Sequence, residues 1–400
     1  MISVEEARAR ILAGLVPTAA EIVALADAWQ RVTAAPVAAR LTQPPRDVSA
    51  MDGYALRASD GALGANLRVV GSAPAGHPWE GQIGPSEALR LFTGSIVPQG
   101  ADSILIQEDA TRDGDSLQVN EMVRAGRHIR RAGQDFSEGD TLIETGRRLT
   151  ARDIGLIASA NHPWVTVHRR PRVAILASGD EIALPGEPIP PGGIVSSNSH
   201  ALAALVRACG GEPMVLPVAA DDRAVLGAAV DAARGCDLLI TTGGASVGEH
   251  DLIQEAFAAR GLKLDFWQIA MRPGKPLMFG RLGELPMVGL PGNPVSSMVC
   301  GILFLMPAIQ RLSGLNGDAP PTITATLASP LPANDHRADH LRATLRAIPG
   351  GVEAVPFDRQ DSAMLRLLTR ADCLILRAPH ATAAEPGDFI QIIRLDPLGL

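Results

Sequence analysis

The chain has 400 residues, of which 46% are hydrophobic, and its formal net charge is −7 at pH 7. This length and apolar content predict a globular protein of about two to four domains. The acidic balance argues against a nucleic-acid-binding surface and against binding to an anionic membrane.

Signals for secretion or membrane insertion are missing from the sequence. The N-terminal stretch MISVEEARARIL places acids in a first helical turn, which is wrong for a signal peptide. The longest apolar stretch, Met298 to Met306, is too short to span a bilayer. The four cysteines are far apart and form no CxxC pair, so we interpret them as reduced packing residues. We therefore expect a cytoplasmic protein.

Two capping-box signatures near the N-terminus predict two helices. Ser3 with Glu6 precedes an apolar stripe that ends near Gly14, and Thr18 with Glu21 precedes a second stripe. The second stripe comprises Ile22, Leu25, Ala26 and Trp29.

The sequence pattern changes twice along the rest of the chain. Residues 32–148 contain short β-branched runs such as LRVVGSA, DSILIQED and SLQVNEM, which predict a loop-rich β region. From Arg172, apolar strands alternate with capped helices, which predicts a parallel, doubly wound sheet. After about Asn316 the strands TITATLAS, HLRATLRAI, GVEAVPF, CLILRAP and FIQIIRL predict a small β domain, with one short helix near residues 362–369.

Each strand predicted in the α/β region is followed by a polar turn. These turns are Ser178–Glu181, Asp221–Asp222, TTGGASVGEHD (Thr241–Asp251) and Pro291–Pro294. In an open parallel sheet, ligands bind beyond the carboxyl ends of the strands. We therefore expect the four turns to form one ligand-binding edge, which we call the rim.

The stretch TTGGASVGEHD combines adjacent glycines with acids. Glycine turns free backbone N–H groups to face an anion such as phosphate, which Glu249 and Asp251 would repel. A hard cation such as Mg²⁺ resolves this conflict by binding carboxylate and phosphate oxygens together. The alternative is that Asp251 only caps the helix DLIQEAFAARG, and that Asp221 or Asp222 only caps RAVLGAAVDAARG. The convergence of four such turns favours a functional role for Asp251.

Two cations, Arg272 and Lys275, flank the stiff turn Pro273-Gly274. Such residues commonly bind phosphate and other oxoanions, although solvated hairpin charges are the alternative. Glycines, acids and cations on one rim describe a metal-assisted phosphate site. The Walker A and GxGxxG patterns are both missing from the glycine stretch, which excludes a P-loop NTPase and a standard dinucleotide binder. Ser246 and Ser296 lack a GxSxG elbow, so the expected chemistry is electrostatic.

Several long strings resemble those of the molybdopterin molybdenumtransferases, the family of MoeA and the gephyrin E domain. In chain order they are PPRDVSAMDGYAL, FTGSIVPQGADSILIQED, RRAGQDFSEGD, LASGDEI, TTGGASVGEHD, RPGKP and GLPGNPVS. The resemblance spans nearly the whole chain. The central strings also occur in MogA-like adenylyltransferases and CinA-like proteins, but MDGYA and TGSIVPQGAD make the distinction.

This resemblance implies a multidomain α/β fold. An elongated N-terminal α+β region, residues 1–46 plus 137–168, carries a β-rich inserted domain at 47–136. A MogA-like domain with a doubly wound parallel sheet follows at 169–315, and a small C-terminal β barrel at 316–400. It also implies a homodimer in which N-terminal acids reach the cleft of the other subunit.

The family inserts molybdate into adenylylated molybdopterin and releases AMP with a divalent cation. The resemblance implies that Mg²⁺ is held among Asp180, Glu181, Asp221 and Asp251. Catalytic roles fall on Asp52, Asp135, Glu181, Asp221 and Asp251. Substrate-binding roles fall on Thr93, Gly243, Gly244, Ser246, Arg272, Lys275, Gly292, Asn293, Ser296 and Ser362. Implied partners are a MogA-type adenylyltransferase and molybdoenzyme acceptors.

Local alternatives and departures from the family pattern accompany these assignments. Asp52-Gly53 is also an ordinary turn, Asp135 a possible loop cap, and Thr93 a possible partner of a backbone group. Family members often carry lysine where this chain has Gln268 and Arg272, and the first change removes a charge. Two competing functions are a carrier or scaffold that binds the pterin phosphate without catalysis, and a MogA-type adenylyltransferase.

Overall fold

The computed structural model describes residues 1–243 and 256–398. Within these residues, three six-stranded sheets organise the N-terminal, central and C-terminal parts of the chain.

The first helix, α1 (Val4–Ala13), forms where the first capping signature predicts it. The Ser3 Oγ accepts a hydrogen bond from the Glu6 backbone N–H at 3.0 Å, and Gly14 follows the last turn. Its buried residues pack into the largest hydrophobic core of the protein, which also contains the central sheet. The prediction of this helix is confirmed.

The prediction of a second helix after Thr18 is wrong. Strand β1 (Ala20–Ala24) pairs antiparallel with the strand Trp164–His168, and only a short 3₁₀ turn, Leu25–Asp27, follows. The Thr18 hydroxyl donates to the carbonyl of Arg169 instead of capping a helix. Because a distant strand supplies backbone partners, tertiary pairing overrides the local helix signature.

The N-terminal part continues with short strands and one further helix, α2 (Ala151–Ser159). The strands are β2 (Val37–Ala38), β3 (Val48–Ser49), β4 (Gly53–Leu56), β5 (Asn66–Ala73), β6 (Glu87–Leu91), β7 (Ser103–Ile106), β8 (Ala110–Asp113), β9 (Ser116–Val119), β10 (Ile129–Arg130), β11 (Thr141–Ile143) and β12 (Trp164–His168). Six of them form one sheet in the order β7-β4-β6-β5-β9-β8. The predicted β-rich region is therefore confirmed.

Gly53 is required where β4 crosses its neighbour β7. A Cβ atom at this position would lie 2.1 Å from the carbonyl oxygen of Leu105. Only glycine permits this close approach of the two backbones. The turn that carries Asp52 is thereby held tightly against the sheet.

The central part contains nine strands and four helices among its described residues. The strands are β13 (Arg172–Ala177), β14 (Ile182–Ala183), β15 (Ile194–Val195), β16 (Glu212–Val215), β17 (Leu238–Thr242), β18 (Leu262–Phe266), β19 (Met271–Arg272), β20 (Met278–Leu282) and β21 (Leu285–Leu290). The helices are α3 (Asn198–Ala208), α4 (Arg223–Ala232), α5 (Pro294–Cys300) and α6 (Met306–Leu312). The sheet order is β16-β13-β17-β21-β20-β18.

The first four strands of this sheet are parallel, and β20 and β18 extend one edge antiparallel. Alternate residues of the parallel strands enter separate cores, since successive side chains point to opposite faces. Val173 and Ile175 pack with α1, α3 and α5, whereas Ala174 and Leu176 pack with α4. The doubly wound fold is confirmed, with an antiparallel edge that the sequence did not indicate.

The apolar run before Pro307 belongs to a longer helical segment. Pro294–Leu312 is helical over 19 residues and is long and apolar enough to cross a bilayer, but 83% of its most apolar window is buried within the protein. A π-helical stretch, Gly301–Leu305, precedes Pro307, where the missing N–H would interrupt regular α-helical bonding. This burial is typical of a core helix of the α/β domain.

The C-terminal part is a closed five-stranded barrel. Its strands are β22 (Thr322–Leu327), β23 (Ala338–Ile348), β24 (Gly351–Pro356), β25 (Cys373–Arg377) and β26 (Phe389–Arg394), with the short helix α7 (Leu365–Leu368). The order β23-β24-β22-β26-β25 closes through pairing of β23 with β25. The predicted barrel is confirmed, and the exact residue bounds of the four domains stay a prediction.

Helix α2 provides a test of local stability in the N-terminal part. Thr150 and Asp153 form a complete capping box, and Asp153 also accepts two hydrogen bonds from Arg147. We expect Thr150→Ala to lower the free energy of unfolding by about 1 kcal/mol, as is typical for loss of an N-cap hydroxyl. Urea unfolding followed by circular dichroism measures this change. Thr150→Ser should unfold like the wild type, and equal stability of the alanine variant would contradict the capping role.

Candidate functional site

The parallel strands bring the turns of the rim to one edge of the central sheet. In the ladder, Ala177 of β13 lies beside Thr242 of β17, which lies beside Leu290 of β21. Beyond the ladder, the Ser178 N–H donates to the Thr242 carbonyl at 3.4 Å and the Gly179 N–H to the Ala219 carbonyl at 3.1 Å. The turns after these strands therefore lie along one edge, as the sequence predicts.

Three carboxylates form an acidic corner at this edge. Asp180 Oδ1 accepts a hydrogen bond from the Asp221 backbone N–H at 3.0 Å, which joins the turns after β13 and β16. Burial raises the pKa of Asp221, and the negative charges of Asp180 and Glu181 raise it further. The neighbouring Asp222 caps α4 through hydrogen bonds to the N–H groups of Ala224 and Val225. Of the two adjacent aspartates, the structure assigns the cap to Asp222 and leaves Asp221 facing the acidic corner.

The chemistry of the acidic corner suits a hard cation, because all three side chains offer carboxylate oxygens. Across residues 1–243 and 256–398, however, no three His, Cys, Asp or Glu side chains lie close enough together to hold a metal ion. Asp251, the fourth predicted ligand, lies outside the described residues. The metal site therefore stays a prediction.

Two glycine turns approach each other beside the acidic corner. Gly243 has a φ of +96°, and a Cβ atom there would lie 2.7 Å from the Ser178 carbonyl oxygen. A Cβ atom on Gly292 would lie 3.7 Å from the Gly243 Cα. Glycine at position 243 is needed for this backbone shape and for the close approach. Gly244 and Ser246, also predicted to bind substrate, lie outside the described residues.

Helix α5 begins at the rim immediately after Gly292. Asn293 occupies its N-cap position and Pro294 its first turn, but the Asn293 side chain makes no capping hydrogen bond and is exposed. Ser296 is buried in the same turn. The Val295 N–H donates to the Ser362 carbonyl at 3.1 Å, so the barrel segment that carries Ser362 contacts the start of this helix.

Arg342 is a candidate residue that sequence reasoning missed. It lies on β23, is only 1% exposed, and donates from Nη2 to the Asp361 carbonyl at 3.1 Å. Its Nε has no hydrogen-bond partner among the described residues. A buried guanidinium with an unused donor beside Ser362 is suited to an anion. The sequence around Arg342 does not indicate a ligand-binding role, because HLRATLRAI has the pattern of an ordinary barrel strand.

The two cations predicted to hold oxyanions differ in their partners. Arg272 forms a two-pronged ion pair with Asp339 of the barrel, with Nε–Oδ1 and Nη2–Oδ2 distances of 2.8 and 2.6 Å. Its strand β19 also pairs with β23 at this point. Lys275 is exposed, and within the described ranges its ammonium has no carboxylate partner. Arg272 therefore links the barrel to the central domain, while Lys275 is left available for a ligand.

The Asp52 and Thr93 residues form a second corner in the N-terminal sheet. Asp52 Oδ1 accepts hydrogen bonds from the Thr93 N–H and hydroxyl, both at 2.8 Å. These bonds lower the pKa of Asp52, the backbone bond contributing most, and the charge of Arg90 adds to them. Arg90 itself lies over the rings of Tyr54 and Phe92, at 5.1 and 5.0 Å from their centroids.

The Asp52 and Thr93 pair lies on a different sheet from the turns of the rim. Among the residues that the structure describes, no hydrogen bond or ion pair links Asp52, Thr93 or Asp135 to the turns of the central sheet. Asp135 is exposed, and its backbone N–H donates to the Gln43 carbonyl at 3.1 Å. The structure thus groups the predicted site residues into a rim and a separate N-terminal set.

Family models match three consecutive parts of the chain. Residues 2–161 match the MoeA N-terminal region (domain I and II), residues 174–311 match the model described as "Probable molybdopterin binding domain", and residues 324–395 match the MoeA C-terminal region (domain IV). Together the three models cover the N-terminal sheet, the rim and the barrel.

Curated relatives and solved structures agree with these matches. The chain is 32% identical to the molybdopterin molybdenumtransferase of Haemophilus influenzae over 98% of each chain. It is 36% identical to molybdopterin molybdenumtransferase 2 of Mycobacterium tuberculosis, over 92% of this chain and 94% of that one. The molybdopterin biosynthesis MoeA protein of Pyrococcus horikoshii superposes with a TM-score of 0.86 at 25% identity, over 99% of this chain and 100% of that chain.

These similarities define the class of protein: the chain belongs to the MoeA family of molybdopterin molybdenumtransferases. It is an enzyme of molybdenum cofactor biosynthesis. The family resemblance inferred from the sequence is therefore confirmed.

The hydrogen bonds to Asp52 make its ionisation testable. Thr93→Ala removes the hydroxyl donor but keeps the backbone N–H, so the pKa of Asp52 should rise part of the way towards its usual value. Because the folded pKa is lowered, the stability contributed by Asp52 is present above its unfolded pKa and is lost as the pH falls through the folded pKa. A ¹³C NMR titration of the Asp52 carboxyl measures the shift.

Two further variants complete that titration. Thr93→Ser keeps the hydroxyl and should leave the pKa of Asp52 where it is in the wild type, and Asp52→Asn assigns the resonance. An identical pKa in the wild type and in Thr93→Ala would show that the hydroxyl does not stabilise the carboxylate.

Proposed function

We propose that this enzyme inserts molybdate into adenylylated molybdopterin and releases AMP in a reaction that depends on Mg²⁺. The meeting of glycine turns and carboxylates at one edge of the central sheet carries the proposal, and Lys275, which has no carboxylate partner within the described ranges, adds a cation. A pyrophosphate link needs donors for its oxygens and a means of neutralising their charge. The rim offers residues of each kind.

The glycine turns and the start of α5 would seat the phosphates. Gly243 and Gly292 leave room for close approach of a ligand to the backbone. At the start of α5 the Val295 N–H is already bonded to the Ser362 carbonyl, so the Ser296 N–H and the helix dipole are what this end offers an anion. The exposed Asn293 amide, unused as a cap, is free to donate to the same ligand.

The acidic corner would hold the metal ion. Asp180, Glu181 and Asp221 lie on adjacent turns, and Asp251 is proposed as a further ligand. A raised pKa such as that of Asp221 is expected where a cation normally compensates the charge of clustered carboxylates. Mg²⁺ bound there would neutralise phosphate and carboxylate charge together.

Lys275 and Arg342 are the cations that we propose for an oxyanion, either phosphate or molybdate. Lys275 has no carboxylate partner within the described ranges, and Arg342 has an unused Nε beside Ser362. Arg272 would act mainly by fixing the turn that carries Lys275, because its guanidinium group already donates two hydrogen bonds to Asp339. The uncharged Gln268 adds no charge to this group, which makes Lys275 and Arg342 more important.

The decisive experiment compares the adjacent aspartates of the acidic corner. Asp221→Asn should reduce molybdate-dependent release of AMP from adenylylated molybdopterin roughly 100-fold, a size typical for removal of a group that stabilises charge. It should also raise the thermal unfolding temperature of the ligand-free protein slightly, because a carboxylate with a raised pKa is destabilising when ionised. AMP release with Mg²⁺, with and without molybdate, is followed by chromatography.

Asp222→Asn is the matched control, since asparagine caps a helix as well as aspartate does. It should behave as the wild type in both measurements. Wild-type protein that binds the nucleotide but never releases AMP would replace the enzymatic proposal with that of a carrier. Consumption of ATP with free molybdopterin would point instead to an adenylyltransferase.

We further propose a homodimer in which Asp52, Thr93 and Asp135 complete the rim of the other subunit. Within the described residues of one chain, no hydrogen bond or ion pair joins this N-terminal set to the rim. The β1–β12 ribbon exposes Ile22 and Trp164, which are apolar side chains that an interface would cover.

Co-expression of two inactive variants tests the shared site. A dimer of Asp52→Asn with Asp221→Asn contains one site with both substitutions and one site with neither, if the residues come from different subunits. Differently tagged subunits combined at random should then recover about a quarter of the wild-type rate. No recovery in a purified heterodimer would place both residues in the same chain's site.

The cytoplasm is the proposed location. All four cysteines are free, and burial raises the pKa of Cys209 and of Cys373 to about 12. Such thiols stay protonated and unreactive, which suits a reducing compartment. A MogA-type adenylyltransferase would supply the substrate there, and molybdoenzymes would accept the product.

A further inference from the structure

Asn198, the first residue of α3, bridges two turns of the rim with its side chain. Its Nδ2 donates to the Thr242 hydroxyl oxygen at 2.8 Å and to the Gly292 carbonyl oxygen at 2.7 Å. Thr242 is the last residue of β17, immediately before Gly243, and Gly292 lies in the turn after β21. One amide group therefore ties together two segments that are 50 residues apart in the chain.

The bridge lies where the backbone ladder ends. The pairing of β17 with β21 stops at Thr242 and Leu290, and the chain then enters the two glycine turns. Gly243 and Gly292 nevertheless remain close, with 3.7 Å between a Cβ atom placed on Gly292 and the Gly243 Cα. Beyond the last ladder pair, the two hydrogen bonds from Asn198 connect these turns.

The amide is the chemical group that this position requires. Both acceptors are oxygens, and the two hydrogens of one Nδ2 serve one each. A carboxylate has no hydrogen to donate and would repel the Gly292 carbonyl, whereas alanine would leave the carbonyl without this partner. Since Thr242 accepts from Asn198, its own hydroxyl hydrogen stays available for another acceptor.

We propose that Asn198 is a positioning residue that sets the separation of the Gly243 and Gly292 turns. This separation determines whether both turns bind the nucleotide phosphate together. This inference rests on the proposed function, in which the two turns bind the adenylyl phosphate. Without the bridge the turns separate, and backbone N–H groups from both can no longer reach one phosphate. The main effect falls on binding, because Asn198 itself touches no reacting atom.

The first test is binding of AMP with Mg²⁺ by calorimetry, together with steady-state release of AMP. Asn198→Ala should weaken AMP binding roughly tenfold, the size expected for loss of about two ordinary hydrogen bonds. KM for adenylylated molybdopterin should rise by a similar factor, with a much smaller change in kcat. His200→Ala, on an exposed position of the same helix, is the matched control and should leave both quantities unchanged.

A pH series with Asn198→Asp separates positioning from general damage to the fold. At neutral pH the carboxylate should weaken AMP binding more than alanine does, because it repels the Gly292 carbonyl oxygen. On acidification the protonated carboxyl regains one donor, so its AMP affinity relative to Asn198→Ala should improve. The comparison is made within proteins whose folding is verified by circular dichroism.

The outcomes separate the two proposals. Wild-type AMP affinity in both Asn198 variants overturns the positioning role, and AMP release by those variants would leave the proposed function standing. A pH response of Asn198→Asp identical to that of Asn198→Ala also overturns it. Absence of both AMP binding and AMP release in the wild type would instead remove the proposed function, and the positioning role with it.

Discussion

The parallel ladder of the central sheet is the constraint on which the rest of the molecule depends. Because β13, β17 and β21 run in the same direction, the turns that follow them must lie at the same edge. Buried residues on both faces hold these strands between two cores. The rim thus inherits its geometry from a sheet that is buried on both faces, which suits a site that works by positioning and charge.

Electrostatic roles are divided among neighbouring residues at this edge. Of two adjacent aspartates, Asp222 completes a helix cap and Asp221 joins a repelling group of carboxylates. Of the two cations that flank Pro273-Gly274, Arg272 is bound by Asp339, whereas Lys275 is exposed and has no carboxylate partner within the described ranges. In each pair one side chain supports the fold, and within the described ranges the other has no ion-pair partner. At Asp221, whose pKa is raised, the ionised carboxylate is unfavourable in the free protein, and binding of a cation would relieve this cost.

The C-terminal barrel takes part in this arrangement. It supplies Asp339 to the turn of Arg272, and its segment around Ser362 accepts a hydrogen bond from the start of α5. Arg342 lies buried on the same strand as Asp339, and its Nε has no hydrogen-bond partner in the part of the chain that the structure describes. The barrel is therefore coupled to the rim at two places, so changes in its position would alter the cations and the helix start together. The ion pair between Arg272 and Asp339 has two hydrogen bonds, so it fixes the relative orientation of the two groups as well as attracting them.

The sequence by itself determined the elements whose signals are local. Capping and apolar periodicity located α1, alternation located the barrel strands, and the glycine and acid turns located the rim. The same logic failed at Thr18–Trp29, where a helix signature became a strand because Trp164–His168 supplied its backbone partners. Only the tertiary structure decided that Arg272 is engaged by Asp339, that Asp222 rather than Asp221 caps α4, and that Asn198 ties two turns together. The physical reason is that periodicity and capping record interactions within a few residues, whereas these contacts join segments brought together only by folding.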